Sequence, residues 1–254
     1  MVSKTSVKNV EAFLVTVTTR LSLDYLKSAR AQRVEYIGPW LPEPLLAETA
    51  SEPDAETELA DTLSFAFMML LERLNPSERA VYILREAFNL KHAEIAQVLN
   101  HSPAYSRQLA KRAKAQLGQH EKRFEASDKD QDRMFSSFLE ASMSGDLKPL
   151  FERLADDITL YSDGGGKVIA ALRPLLGKDR VVRFLRKTLA PKTPKEEIQL
   201  CRVNGQPAIK LSFAGHVVTV ITLNFVAGKV QQIFVQRNPD KLRAANVEHS
   251  TNHP

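Results

Sequence analysis

The stretch HSPAYSRQLAKRAKAQL, residues 101–117, decides how the first half of the chain folds. Ser102 is a favoured helix cap and Pro103 a favoured first residue, so a helix is predicted to begin here. A shorter helical pattern at residues 91–99 ends only a few residues earlier. Two helices joined by so short a turn predict a helix-turn-helix, whose second helix enters the major groove of DNA.

The second helix of this motif has two chemically different sides. Helical spacing assigns Ser106, Leu109 or Ala110, and Ala113 to the protein core. The outward side carries Tyr105, Arg107, Gln108, Lys111, Arg112 and Lys114. Arg and Gln pair with guanine and adenine edges, whereas Lys suits phosphate. The pattern predicts a DNA-reading surface, and an ordinary solvated basic face is the alternative.

Two helices are predicted before this one. The motif Asn75-Pro76-Ser77-Glu78 has the residue types that cap and start a helix. The buried face of that helix is predicted to contain Ala80, Val81, Leu84 and Phe88. The helix at residues 91–99 is predicted to pack through Ala93, Ile95, Ala96 and Leu99.

Residues 7–33 are predicted to form one amphipathic helix. Its apolar stripe at near-helical spacing consists of Val10, Phe13, Leu14, Val17, Leu21 and Leu26. Its later turns carry the cationic residues Arg20, Lys27, Arg30 and Arg33.

Residues 36–61 are predicted to be a linker, because Pro39, Pro42 and Pro44 disfavour helix around Trp40. An indole is costly to leave in water, so Trp40 is expected to dock on protein. Two partners stay open: the C-terminal domain near residues 163–167 or 238–242, and the helix-turn-helix region. The linker then becomes acidic, with Glu48, Glu52, Asp54, Glu56, Glu58 and Asp61.

The C-terminal half is predicted to be an α+β domain. Helical patterns at residues 131–143 and 146–155 precede the strand ITLYSD and a glycine run that must turn. The stretch KDRVVRFLRKTL is predicted to be a helix, followed by strands at about 196–203, 206–214, 216–226 and 229–237. The Asn204-Gly205 pair is typical of a hairpin, so helices packed on an antiparallel sheet are expected.

The composition restricts the class of protein. The 254 residues carry a net charge of +5, which is compatible with a polyanionic partner. Cys201 is the only cysteine, so it is interpreted as a packed thiol. No apolar run reaches the length of a membrane span and no signal-peptide pattern is present, so a cytoplasmic protein without membrane contact is expected. No cofactor and no metal site are expected.

Several segments resemble one family. LNPSERAVYILREAFNLKHAEIAQVLNHSPAYSRQLAKRAKAQL resembles region 4 of extracytoplasmic-function sigma factors, and NVEAFLVTVTTRLSLDYLKSARAQR resembles the last part of their region 2. The linker YIGPWLPEPL, the run DGGGK at residues 163–167 and NPDKL at residues 238–242 resemble the subgroup with a fused C-terminal SnoaL-like domain. Most of region 2 is expected to be missing from this chain.

The resemblance implies a multidomain protein: an all-α part with the helix-turn-helix, then an α+β SnoaL-like, nuclear-transport-factor-2-like cone. The expected parts are a region 2 remnant (1–35), the linker (36–61), region 4 (62–123), a regulatory domain (128–242) and a disordered tail (243–254). Promoter DNA and core RNA polymerase are the implied partners. Residues 105–114 would read the −35 element, and the basic helix ending at Arg33 would approach the −10 element.

The fused domain is implied to tune the factor in place of a separate anti-sigma protein. The residues expected to make its regulatory contacts are Pro39, Trp40, Leu41, Pro42, Asp163, Gly164, Gly165, Gly166, Lys167, Asn238, Pro239, Asp240, Lys241 and Leu242.

Some SnoaL-like domains are isomerases or cyclases that use a pocket carboxylate as a base. Candidates for that role are Asp156, Asp157, Asp163 and His216. Helix-end, turn and surface positions explain these residues equally simply, so no catalytic residue is predicted. The alternative function is a small-molecule enzyme or ligand sensor with a helical N-terminal appendage, and an unidentified small ligand is compatible with either function.

Overall fold

A computed structural model describes residues 9–33, 36–47, 65–117, 135–136, 148–188 and 196–247. The chain divides into two compact units, one of residues 1–35 and 70–121 and the other of residues 36–69 and 122–254. The linker segment before residue 70 therefore groups with the C-terminal half of the chain. Parts of the linker, most of the predicted helix at 131–143 and residues 248–254 of the predicted tail lie outside the described residues. Residues 243–247, predicted to begin a disordered tail, form a helix whose Ala245 is buried.

The first unit is helical. Its elements are α1 (Val10–Arg33), α3 (Pro76–Glu86), α4 (His92–Leu99) and α5 (Pro103–Leu117). The helix α2 (Phe65–Leu71) crosses the boundary at residue 70, so only its last two residues belong to this unit. The apolar core between α3, α4 and α5 consists of Val81, Leu84, Ile95, Val98, Leu109 and Ala110. The prediction of an all-α part with a helix-turn-helix is confirmed.

Local side-chain chemistry sets the ends of these helices. Asn75 Oδ1 accepts a hydrogen bond from the Glu78 N–H at 3.0 Å, and Glu78 Oε2 accepts one from the Asn75 N–H at 3.3 Å. This reciprocal pair satisfies N–H groups that a helix start leaves open. Asn100 ends α4 with φ 55°, and Ser102 Oγ accepts from the Tyr105 N–H at 3.2 Å to start α5.

Two expectations about buried helix faces are wrong, and the apolar stripe of α1 is largely exposed. Phe88 is 47% exposed and Ala93 is exposed, whereas Val98 is buried. Leu21 in the apolar stripe of α1 is 65% exposed. The physical reason is that α1 packs on α3 and α4 through a neighbouring side that includes Val15.

The second unit is built on one sheet. Its elements are β1 (Leu46–Ala47), α6 (Lys148–Glu152), β2 (Leu154–Asp163), β3 (Leu175–Leu176), α7 (Lys178–Thr188), β4 (Glu196–Val203), β5 (Gln206–Phe213), β6 (His216–Val226), β7 (Lys229–Gln236) and α8 (Arg243–Val247). The strand order is β1-β4-β5-β6-β7-β2-β3. The α+β prediction is confirmed, with two corrections. The strand β2 pairs with β7 in parallel, so the sheet is mixed. Residues 154 and 155, predicted to end a helix, instead begin β2.

Each face of the sheet is covered by a different part of the chain. On one face, Val181 and Leu185 of α7 join Phe135 and sheet residues such as Ile221 in an apolar core. On the opposite face, the linker residue Leu41 and Phe65 of α2 pack with Phe234 and Leu242. In addition, the linker strand β1 pairs with β4 and forms one edge of the sheet. The linker is therefore part of the packed C-terminal unit.

Candidate functional site

The second helix of the helix-turn-helix, α5, has the burial pattern expected from its sequence. Ser106, Leu109, Ala110 and Ala113 are buried, which confirms the predicted packing side. All six residues predicted to face outward are exposed: Tyr105, Arg107, Gln108, Lys111, Arg112 and Lys114. The helix thus presents four cations and an amide side chain to solvent, opposite the side that packs in the core.

These outward residues differ in their partners. Lys114 Nζ lies 2.8 Å from Glu86 Oε1, so this cation is held in an ion pair. Tyr105 meets the His101 ring edge-on, with 5.3 Å between ring centres. Within the described parts of the chain, no carboxylate lies within 4.0 Å of Arg107, Lys111 or Arg112. Those three side chains are therefore available to a polyanion.

A contact that sequence reasoning missed fixes α5 against α4. Ser106 is fully buried, and its Oγ lies 3.0 Å from His92 Nδ1. Burial lowers the pKa of His92, and the positive charges of Arg85, Arg107 and Lys114 lower it further. These effects favour the neutral form of the imidazole that bridges the two helices. The spacing between these residues in the sequence contains no signal that pairs them.

The predicted cations of α1 are only partly placed. Arg20 Nε donates to the Val98 carbonyl at 3.2 Å, so this guanidinium caps the end of α4. The side chains of Lys27, Arg30 and Arg33 lie outside the described residues.

The second unit contains a cluster of polar side chains centred on Asp163, at the end of β2. This carboxylate is fully buried. Its Oδ1 accepts from the Tyr36 hydroxyl at 2.5 Å and from the Gly165 N–H at 3.0 Å. Its Oδ2 accepts from the Leu41 N–H at 2.9 Å and from Lys241 Nζ at 2.7 Å. One acidic group thus holds two linker residues, the glycine loop and Lys241 together.

Lys241 is held by aromatic rings of the linker as well as by Asp163. Its Nζ lies 4.3 Å from the centre of the Trp40 ring and 4.8 Å from that of Tyr36. It also donates to the Leu41 carbonyl at 2.6 Å. A cation over two aromatic faces gains electrostatic attraction from both rings. The ammonium therefore connects the linker to the NPDKL segment.

Amide side chains complete this arrangement. Gln236 Nε2 donates to the Pro42 carbonyl at 3.0 Å, and Asn238 Nδ2 donates to the Tyr36 hydroxyl at 2.9 Å. Burial raises the pKa of Tyr36, and its hydrogen bond to Asp163 raises it further. We name this cluster the linker clamp and define it as Tyr36, Trp40, Leu41, Asp163, Gln236, Asn238 and Lys241.

The glycine run next to Asp163 is required by close packing. Gly165 has φ +58°, and a Cβ there would lie 2.3 Å from Asn238 Nδ2. A Cβ at Gly164 would lie 2.5 Å from the Val168 carbonyl oxygen. Lys167 at the end of the run pairs with Asp240. The two segments predicted to make regulatory contacts are thus joined to each other.

The remaining predicted residues of this region differ in burial. Pro42, Leu41 and Leu242 are buried, whereas Pro239 and Gly166 are exposed and Pro39 is half-buried. Sequence reasoning missed Tyr36 and Gln236, although both bond directly to Asp163 or to the linker.

The candidate bases of the C-terminal domain are not brought together. Asp156, Asp157 and His216 are exposed, and Asp163 is occupied by the donors of the linker clamp. Among the residues that the structure describes, no three His, Cys, Asp or Glu side chains are grouped as a metal site would need. Burial raises the pKa of the Cys201 thiol to about 11. No helix in the described ranges is long and apolar enough to span a bilayer.

The chain is similar to known proteins over nearly its whole length. The family "Sigma-70, region 4" matches residues 64–117. The ECF RNA polymerase sigma factor SigJ of Mycobacterium tuberculosis is 34% identical over 98% of this chain and 84% of its own length. The probable ECF RNA polymerase sigma factor SigI of that organism is 34% identical over 91% of this chain and 79% of its own length.

A solved structure is similar to both halves of the chain. The crystal structure of the M. tuberculosis extracytoplasmic function sigma factor SigJ matches with a TM-score of 0.75 and 31% identity. The match covers 95% of this chain and 85% of that one. The likeness therefore includes the helical part, the linker and the mixed-sheet domain.

Proposed function

Because the chain belongs to the extracytoplasmic-function RNA polymerase sigma factors, we propose that it binds promoter DNA together with core RNA polymerase to initiate transcription. Its helix-turn-helix occupies the range that matches sigma region 4. The same proposal places the protein in the cytoplasm, where the polymerase works.

The observation that carries this proposal is the exposed cationic side of α5. In a helix-turn-helix the outward residues of the second helix contact base edges and phosphates. Arg107 and Gln108 have the geometry for guanine and adenine edges, whereas Lys111 suits a phosphate. We assign the reading of the −35 element to residues 105–114. Lys114 contributes less, because Glu86 already neutralises it.

The test compares two substitutions in duplex binding. Arg107→Ala is expected to cost about 1–3 kcal/mol of binding free energy and to reduce the preference for promoter over scrambled duplex. Lys111→Ala is expected to weaken all duplexes alike and to reduce the salt slope by about one. Lys229→Gln, which removes an exposed cation from the second unit, is the matched control. Parent-like binding by both α5 variants at every salt concentration would contradict the assignment.

We further propose that the C-terminal domain, residues 128–242, regulates the factor and does not catalyse a reaction. The linker clamp supports this, since both oxygens of its acidic centre, Asp163, accept structural hydrogen bonds. A linker held on the C-terminal unit limits the spacing available to DNA-binding parts on either side of it. Weakening the clamp should therefore change transcription from a promoter while duplex binding by α5 is retained.

A further inference from the structure

The helix α7 in the C-terminal domain lies in an unusually basic part of the sequence. Residues 180–195 contain no Asp or Glu and carry the cations Arg180, Arg183, Arg186, Lys187, Lys192 and Lys195. Protein surfaces ordinarily mix charges of both signs. Within the helix, residues 180–188 carry only positive charges, which needs an explanation beyond solubility.

The packing of α7 fixes which way these side chains point. Val181 and Leu185 are buried in the apolar core against the sheet. Arg180 and Arg183, on the other side of the helix, are exposed. Arg186 is also exposed, and its guanidinium carbon lies 5.3 Å from the centre of the Phe151 ring. Stacking on an aromatic face restricts a guanidinium and leaves its N–H edge open.

The acidic groups nearby do not neutralise this surface. Asp156 lies 4.0 Å from Lys178, at the first turn of α7. Asp179 is in the same turn and is exposed. Over the described stretches of the chain, no carboxylate lies within 4.0 Å of Arg180, Arg183 or Arg186. Arg180, Arg183 and Arg186 thus form an exposed row of cations along the helix that these carboxylates do not pair with.

We propose that Arg180, Arg183 and Arg186 bind the sugar-phosphate backbone of double-stranded DNA. The three residues extend over about 9 Å of helix, the axial length of roughly three phosphates on one strand. Guanidinium groups bind phosphate oxygens through paired N–H donors. These arginines therefore suit a phosphate backbone better than they suit a diffuse acidic protein surface. Such contacts read no bases. They add a sequence-independent contribution to duplex binding besides that of α5, and in this sense the inference rests on the proposed function.

The experiment uses the full chain and a fluorescein-labelled promoter duplex, with a scrambled duplex in parallel. Fluorescence anisotropy gives the association constant at several salt concentrations between about 50 and 200 mM. Arg180→Gln/Arg183→Gln is expected to reduce the salt slope by about two while leaving the promoter-to-scrambled ratio as in the parent. Arg180→Lys/Arg183→Lys, which retains the charge, and Lys229→Gln should keep the parent slope.

Each other outcome refutes a defined part of the reasoning. If the Arg180→Gln/Arg183→Gln variant binds duplex DNA with the same salt dependence as the parent, the α7 proposal is wrong. It is wrong even if that variant binds core polymerase more weakly, because α7 would then contact an acidic protein surface. Tighter duplex binding by that variant also overturns it, since the arginines would then hold an acidic segment of the chain. If the parent shows no preference for promoter over scrambled duplex while the double Gln variant loses salt dependence, the −35 assignment is wrong and the DNA contact of α7 is supported. A parent chain that binds no duplex refutes both.

Discussion

Replacing Asp163 with Asn tests the linker clamp most directly. The substitution keeps the shape of the side chain but removes its charge and replaces one acceptor oxygen with an NH₂ group. In the orientation that keeps Oδ1 facing the Tyr36 hydroxyl, this NH₂ would face the Leu41 N–H and the Lys241 ammonium, which are both donors. The opposite orientation would break the bonds from Tyr36 and Gly165 instead. Neither orientation satisfies all the donors.

The expected cost follows from this geometry. Removing one partner of a buried ion pair costs about 3–5 kcal/mol. The Lys241 side chain retains 14% exposure, so it can recover part of its hydration. We therefore expect the free energy of unfolding to fall by about 3 kcal/mol, which at an m-value of roughly 2 kcal/mol/M lowers the urea midpoint by about 1.5 M.

Trp40 makes the assay specific to the clamp, because it is the only tryptophan and its ring lies over Lys241. Urea unfolding is followed by Trp40 fluorescence and by circular dichroism, and acrylamide quenching reports the access of solvent to the indole. The matched control is Asp157→Asn, an exposed carboxylate on the same strand, which should stay within about 0.5 kcal/mol of the parent. If Asp163→Asn behaves like this control in both stability and quenching, the clamp does not hold the linker.

Three further predictions concern single positions. Gly165→Ala should destabilise the second unit by more than about 1 kcal/mol, because its Cβ would meet a side chain at 2.3 Å, whereas Gly215→Ala has positive φ but nothing within 4 Å and should cost less in the same urea titration. Arg20→Ala should lower the thermal midpoint, because the side chain loses its hydrogen bond to the Val98 carbonyl. An unchanged midpoint together with a weaker salt dependence of duplex binding would contradict the capping role. Since the folded state lowers the pKa of His92, the unfolded chain binds more protons as pH falls through about 6.5. Stability should therefore decrease from pH 7 to pH 5, and His92→Gln should remove part of that decrease in denaturant titrations at both pH values.

Local chemistry was sufficient to predict the helix-turn-helix and the inward and outward sides of α5. Pro103 after Ser102 and the Asn75-Glu78 pair act over one helical turn, so each can be identified from neighbouring residues. The Asn204-Gly205 turn also formed as predicted, with both residues at positive φ. By contrast, helical spacing identifies the apolar stripe of α1 but does not say through which side the helix packs, and Leu21 of that stripe is exposed.

The sequence by itself determined most of the helices and strands, the Asn204-Gly205 turn and the outward cations of α5, because those features depend on contacts within a few residues. Only the tertiary structure decided that the linker completes the second face of the sheet. Tyr36 and Asp163 are 127 residues apart, and Asp163 and Gln236 are 73 apart. No periodicity relates such positions. Asp163 and Gln236 meet because β2 pairs in parallel with β7, which brings both strand ends together. Tyr36 and the Leu41 N–H join them because a buried carboxylate requires hydrogen-bond donors.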